Sequence, residues 1–307
     1  MTAAVVASQN QPMSAAYVVR DVLADIQAVP VHGMAGRSSL VVDDGWRVFY
    51  VFGGFTMAAA IRAAEVELGR SDLHMITADA TFCQAVPAGP IALQAEVLRT
   101  GRRAAQVLVR LWATDDPAGP AGSDLVLTVV FGALDPSRTA RIEGLSFPAD
   151  VPPPDRSRSR EPTAPESPFD ELPFHRQTEW RLGLGTAPWE RADEPSEPRT
   201  ASWFRFNHPP VRADGTWDPA CLAVPGDVLG PAIGQGLPAS EGFFFVLSLQ
   251  IGLRFIAPMR GTWLCQHTRA HHVGEGFASG SAELWSDDGS LVALANQTAL
   301  LRPMALG

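Results

Sequence analysis

Three polar residues stand where the surrounding pattern is apolar. Asp227 follows Pro225-Gly226 at a helix start, Ser248 interrupts an apolar β-run, and Gln297 shares a strand face with Leu291, Ala293, Ala295 and Ala299. A carboxylate accepts protons, a hydroxyl donates and accepts, and a carboxamide does both. Brought to one point, an acid, a hydroxyl and an amide make one chemical site. Each has an ordinary reading alone: Asp227 as a helix cap, Gln297 as a backbone-bonded amide, Ser248 as a strand hydroxyl. The three together carry the argument. The small neighbours of Gln297 leave room for a ligand or water, and an amide left unpaired in a half-buried strand costs about 1–3 kcal/mol.

The elements that must position these residues occur twice. At an offset of 173 residues, Phe82 falls on Phe255, Gly101 on Gly274, and Leu111-Trp112 on Leu284-Trp285. Both Leu-Trp pairs run into an acidic turn, Thr114-Asp115-Asp116 and Ser286-Asp287-Asp288. Beyond it the first copy is read as seven residues longer, so that Leu125-Val126 aligns with Leu291-Val292. This is one duplication of a domain-sized unit rather than a short-period repeat. In this register Asp227 falls on Gly54, Ser248 on Met75 and Gln297 on Phe131. Only the second copy carries the polar trio. One site per chain is expected, with the first copy as wall and scaffold and Gly53, Gly54 and Phe131 as substrate-binding candidates.

In the first copy, residues 1 to about 15 read as loose, Tyr17 to Ile26 as a short helix, and Ser38–Val42 and Arg47–Val51 as strands. Gly53-Gly54 opens an alanine-rich helix from Phe55 to Leu68 that Gly69 closes. It is apolar around most of its circumference, which marks a buried helix. Four β-runs follow: His74–Phe82, Ile91–Leu98, Ala105–Trp112 and Leu125–Leu134. The second copy has strands at Thr178–Leu182 and Ala201–Phe206, then a helix from Trp217 to Ile233 that Pro225-Gly226 should kink or split. In its next strand, Phe243 to Phe255, the odd-numbered residues are large and apolar, and Ser248, Gln250 and Arg254 lie on the other face. Trp263–His272, Ala278–Trp285 and Leu291–Leu301 complete the sheet. The fold class is α+β, each unit an antiparallel sheet wrapped around a helix. The domains are 1–147 and 172–307, joined by a proline-rich linker, 148–171, that should neither pair in a sheet nor continue a helix.

Bulk properties narrow the function. The chain has 307 residues, 46% hydrophobic and 19% charged, an ordinary globular composition. Its net charge of −9 argues against nucleic-acid or anionic-membrane binding. No apolar run reaches the roughly 20 residues needed to span a bilayer, and no signal peptide is evident. Cys83, Cys221 and Cys265 are far apart and form no CxxC pair, which suggests the reducing cytoplasm rather than a disulfide framework or a zinc ribbon. His267, His271 and His272 lack a carboxylate partner in any metal motif, so no metal is expected. The chain shows neither a G-x-S-x-G elbow nor a P-loop.

Three stretches together resemble a known family. They are the helix start Val51-Phe52-Gly53-Gly54, the run Ser248-Leu249 through Phe255 with Pro258 and Trp263, and the ending Asp288-Gly289-Ser290-Leu291-Val292-Ala293 through Gln297 to Arg302. Their order and spacing resemble the type II acyl-CoA thioesterases, which are double-hotdog proteins. The resemblance covers the chain apart from the N-terminal tail and the linker. It implies that Asp227, Ser248 and Gln297 hold a water that attacks the thioester carbonyl, with Asp227 as general base. It also implies a homo-oligomer that takes acyl-CoA and releases acid and CoA without a cofactor. Backbone amides near Gly53-Gly54 or near Asp227 are candidates to polarise the carbonyl. Arg102, Arg103 and Arg254 are candidates for the CoA phosphates. Two alternatives share the fold: an acyl-CoA-binding protein without catalysis, and an enoyl-CoA hydratase or dehydratase. The latter needs an Asp and a His on one loop, which the sequence does not show.

Overall fold

The structure, a computed structural model, describes residues 18–135, 137, 138, 140, 142–159, 172–187, 190 and 194–304. The tail read as loose and the linker residues 160–171 lie outside the described residues.

The first unit begins with a single helical turn, α1 (Val22–Asp25), shorter than the expected Tyr17–Ile26 helix. The Asp21 carboxylate accepts from the Leu23 and Ala24 amides and fixes its start. Then come β1 (Val29–Pro30), β2 (Arg37–Val42), α2 (Gly53–Leu68), β3 (His74–Phe82), β4 (Gly89–Thr100), β5 (Ala104–Ala113) and β6 (Leu125–Gly132). The run Arg47–Val51 is not a strand. The Val48 amide donates to the Tyr50 carbonyl, which curls the segment into a loop closed by one bridge between Arg47 and Val51. Helix α2 is buried along most of its length, because its small residues let the sheet approach on one side and the helical segment 219–226 of the second unit on another. Gly69 ends it with φ of 61°, a left-handed conformation that costs glycine nothing.

The second unit has β7 (Arg158–Ser159), β8 (Thr178–Leu184), β9 (Arg199–Phe206), α3 (Ala223–Gly226), α4 (Leu229–Gly236), β10 (Phe244–Phe255), β11 (Leu264–Gly274), β12 (Phe277–Ser286) and β13 (Leu291–Pro303). The expected helix is split, and Asp227 and Val228 occupy the break with non-helical backbone angles. The Pro225 carbonyl, left without a helical partner, accepts from Gln266 Nε2 at 2.8 Å.

The segment before residue 160 is docked, contrary to the linker reading. Val151 is buried, Phe147 packs between the rings of Trp203 and Trp285, and Trp203 Nε1 donates to the Pro152 carbonyl. Arg158 and Ser159 pair with β8 at the sheet edge. Prolines forbid regular pairing at their own positions, but they leave the aromatic and aliphatic residues between them free to pack.

Among the described residues, one antiparallel sheet runs β1-β2-β4-β5-β6-β3-β10-β13-β12-β11-β9-β8-β7. Helix α2 packs on β4, β5 and β6, and α4 packs on β9, β11 and β12. The units join through β3 and β10, whose register is symmetric about the facing pair Asp79 and Gly252. No helix among the described residues is long and apolar enough to cross a membrane.

The pairing registers correct the sequence alignment of the last strands. Gln297 faces Gly280 on β12, and in the first unit Val129 faces Val107, the counterpart of Gly280. Gln297 therefore corresponds to Val129, while Phe131 corresponds to Ala299. The extra loop in the first copy is two residues shorter than the sequence alignment made it. The apolar alternation of β6 looks alike at either phase, so it could not fix the gap.

Candidate active site

A bulge in β10 brings the trio together. The register on β13 passes from Ser248 opposite Ala299 to Gln250 opposite Thr298, which leaves Leu249 unpaired. Side chains alternate along a strand, and one extra residue reverses the alternation beyond it. Ser248 therefore shares the helix-facing side with Ile251 and Gln297, not the outer side with Gln250 and Arg254 as strict alternation predicted. The first unit has the same irregularity between Met75 and Thr77. The helix break supplies the third group, since Asp227 sits at the C-terminal end of α3.

These side chains form a closed set of hydrogen bonds. Ser248 Oγ donates to Asp227 Oδ1 at 2.9 Å, and Gln297 Nε2 donates to Asp227 Oδ1 and to Ser248 Oγ, each at 2.8 Å. The Leu229 amide donates to Gln297 Oε1 at 3.1 Å. That bond fixes which end of the carboxamide faces the carboxylate. The other oxygen, Asp227 Oδ2, accepts from the Gly54 amide at 3.0 Å. Burial pushes the Asp227 carboxyl up to about 6, against the lowering effect of its bonds to Ser248, Gly54 and Gln297. It is a base poised close to neutrality.

Asp227, Ser248 and Gln297 line a cavity of about 600 Å³. Gly53 lines it as well, and a Cβ there would stand 2.7 Å from Asp227 Oδ2. Gly54 takes part through its amide, and a Cβ there would lie 2.4 Å from the Ala223 carbonyl oxygen. Only glycine permits that approach of α2 to α3. Phe131 does not reach the cavity; it is a core residue facing Met75 across the sheet. Its side chain fills the place that Ala299 leaves small in the second unit.

The arginine candidates lie elsewhere. Arg254 is on the outer sheet face in an ion pair with Asp79 at 2.8 Å, and Arg103 faces Asp135 at 3.6 Å. Neither these nor Arg102 line the cavity, whereas Arg302, near the end of β13, does. Sequence reasoning also missed the aromatic wall, including Phe82, Phe174 and Phe245. The run Phe243-Phe244-Phe245 was its visible signal.

Two sheet-and-helix units sharing one continuous sheet define the double-hotdog class. A family model described as the acyl-CoA thioesterase C-terminal domain matches residues 148–301, and one described as the N-terminal domain matches residues 42–132. The chain belongs to the acyl-CoA thioesterase family and is a thioester hydrolase. Solved structures share the fold. A hot dog-fold protein of unknown function from Alicyclobacillus acidocaldarius is 20% identical, with a TM-score of 0.75 over 94% of this chain and 100% of that one. Acyl-CoA thioesterase II TesB2 from Mycobacterium marinum is 18% identical, with a TM-score of 0.69 over 93% and 99%. The tesB protein of Mycobacterium avium subs paratuberculosis is 16% identical, with a TM-score of 0.69 over 93% and 100%. No curated protein matches the sequence.

Proposed function

We propose that the cavity receives the thioester of an acyl-CoA and that Asp227, Ser248 and Gln297 direct a water onto its carbonyl. The carrying observation is the hydrogen-bonded closure of three residues drawn from a helix break and two strands, around a carboxyl raised to about 6.

The roles follow from donor and acceptor counts. Ser248 gives its proton to Asp227 and accepts from Gln297, which leaves one lone pair on Oγ. The water donates one hydrogen to that lone pair and the other to the Asp227 carboxylate. Its own lone pair then points at the carbonyl carbon. As the C–O bond forms, the proton shared with Asp227 transfers to the carboxylate and the carbonyl π electrons move to oxygen. The Gly53 amide, the first of α2, makes no hydrogen bond to the described residues and borders the cavity; it donates to the oxyanion. Collapse breaks the C–S bond, and the departing thiolate takes the proton from Asp227. The products are a carboxylic acid and CoA, and the base is restored. Arg302 at the cavity wall meets the anionic CoA portion. Three unpaired cysteines favour a cytoplasmic setting.

The test is release of free thiol from a panel of acyl-CoAs by the wild-type chain and by Asp227→Asn. The variant should lose at least about 100-fold in kcat. No thiol release from any acyl-CoA, or undiminished turnover by Asp227→Asn, would count against the proposal.

A further inference from the structure

The cavity is lined by both units of a duplicated chain, and the units differ at two helix positions that bear on its width. At the 173-residue offset, Gly230 and Gly234 of α4 fall on Met57 and Ile61 of α2. Met57 and Ile61 are fully buried and fill their place in the core with side-chain bulk. Gly230 and Gly234 line the cavity instead. A Cβ on Gly234 would meet nothing within 4 Å, and one on Gly230 only Val246 Cγ2 at 3.5 Å. Neither glycine has a positive φ. No backbone conformation or close approach calls for glycine at either place, and glycine weakens a helix interior. What the two residues do provide is breadth. The walls around them are aromatic, with Phe82, Phe174, Phe204 and Phe245 among them, in a chain where aromatic residues make up 8%.

We infer that Gly230 and Gly234 set the breadth of the acyl chamber, and that it takes ring-bearing acyl groups in preference to unbranched chains of equal carbon number. This rests on the acyl-CoA reading above. A flat ring gains offset and edge-to-face contacts from the aromatic walls, whereas an alkyl chain gains burial alone. A side chain the size of Ile61 at position 234 would take up the width that a ring needs.

Two carbon-matched pairs test this: phenylacetyl-CoA against octanoyl-CoA, and 6-phenylhexanoyl-CoA against dodecanoyl-CoA. The wild-type chain should favour the ring-bearing member of each pair by about tenfold in kcat/KM. In Gly234→Leu that ratio should fall to about one or below, since the leucine enters the chamber; leucine is a stronger helix former than glycine, so the helix is retained. Calorimetric Kd values in the Asp227→Asn background read the same ratio without chemistry. A wild-type preference for the straight chains, or a ratio unchanged in both Gly234→Leu and Gly230→Val, would overturn the inference. Ring-selective binding without thiol release would uphold it and overturn the hydrolytic proposal. Absence of binding to all four compounds would overturn both.

Discussion

Asp227 and Gly54 are hydrogen-bonded, carboxylate Oδ2 to amide, at 3.0 Å, and the 173 residues between them are the repeat length of the chain. The same position of the duplicated unit thus meets itself, as it does where Asp79 faces Gly252 across the sheet junction. One copy of that position supplies a carboxylate and the other supplies the amide that holds it. Placing a methyl at Gly54 would set a Cβ 2.4 Å from the Ala223 carbonyl oxygen and 2.7 Å from Val224 Cα, both backbone atoms. Gly54→Ala should cost about 1–3 kcal/mol in urea unfolding. It should also lower kcat about 100-fold through displacement of Asp227.

In the proposed reaction the carboxyl of Asp227 sets the pH profile. Its pKa of about 6 predicts kcat/KM that rises through pH 6 and levels above it, since the base must be ionised. The Ser248 hydroxyl lowers this value by donating to the carboxylate. Ser248→Ala should therefore move the midpoint upward and reduce the plateau about tenfold. A pH–rate profile of both chains checks the direction.

The same group makes stability depend on pH. Its folded value is raised above the unfolded one, so its contribution is full below about pH 3.8 and is lost as pH rises through about 6. Asp227→Asn removes that loss. Relative to the wild-type chain, the variant should be more stable at pH 8 than at pH 4 by about 2 kcal/mol. The absolute gain is reduced wherever the new amide faces the Gln297 Nε2 donor. Denaturant titrations at both pH values give the difference.

Arg62 joins the two units from α2, pairing with Glu65 and with the buried Asp218 at the start of the second helical region. Arg212 also reaches Asp218, at 3.0 Å. Arg62→Met would leave two carboxylates with one partial partner and should cost about 3 kcal/mol. Because the pair is enclosed, the loss should change little between low and high salt. An unchanged urea midpoint would refute the clamp.

Much of this was legible because elements with strong local signatures decide the fold. The alanine run of α2 between Gly53 and Gly69, and the Pro225-Gly226 interruption, could each be read at sight. Asp227, Ser248 and Gln297 were legible as polar residues in apolar surroundings. What the sequence hid were matters of phase. The bulge at Leu249 leaves no mark in composition, so strict alternation puts Ser248 on the wrong face. The loop after Asp116 offers no landmark from which to count, so the sequence alone aligns Gln297 with Phe131 rather than Val129. The packing of Phe147 and Val151 was hidden by the prolines around them.

The meeting of β3 and β10 determines how the molecule behaves when severed. Each is an interior strand only because the other covers it, over five paired positions. A protease nick between the units should leave two fragments that copurify. Either fragment produced alone would present a bare row of amides and carbonyls and a stripped helix, and should gather into aggregates.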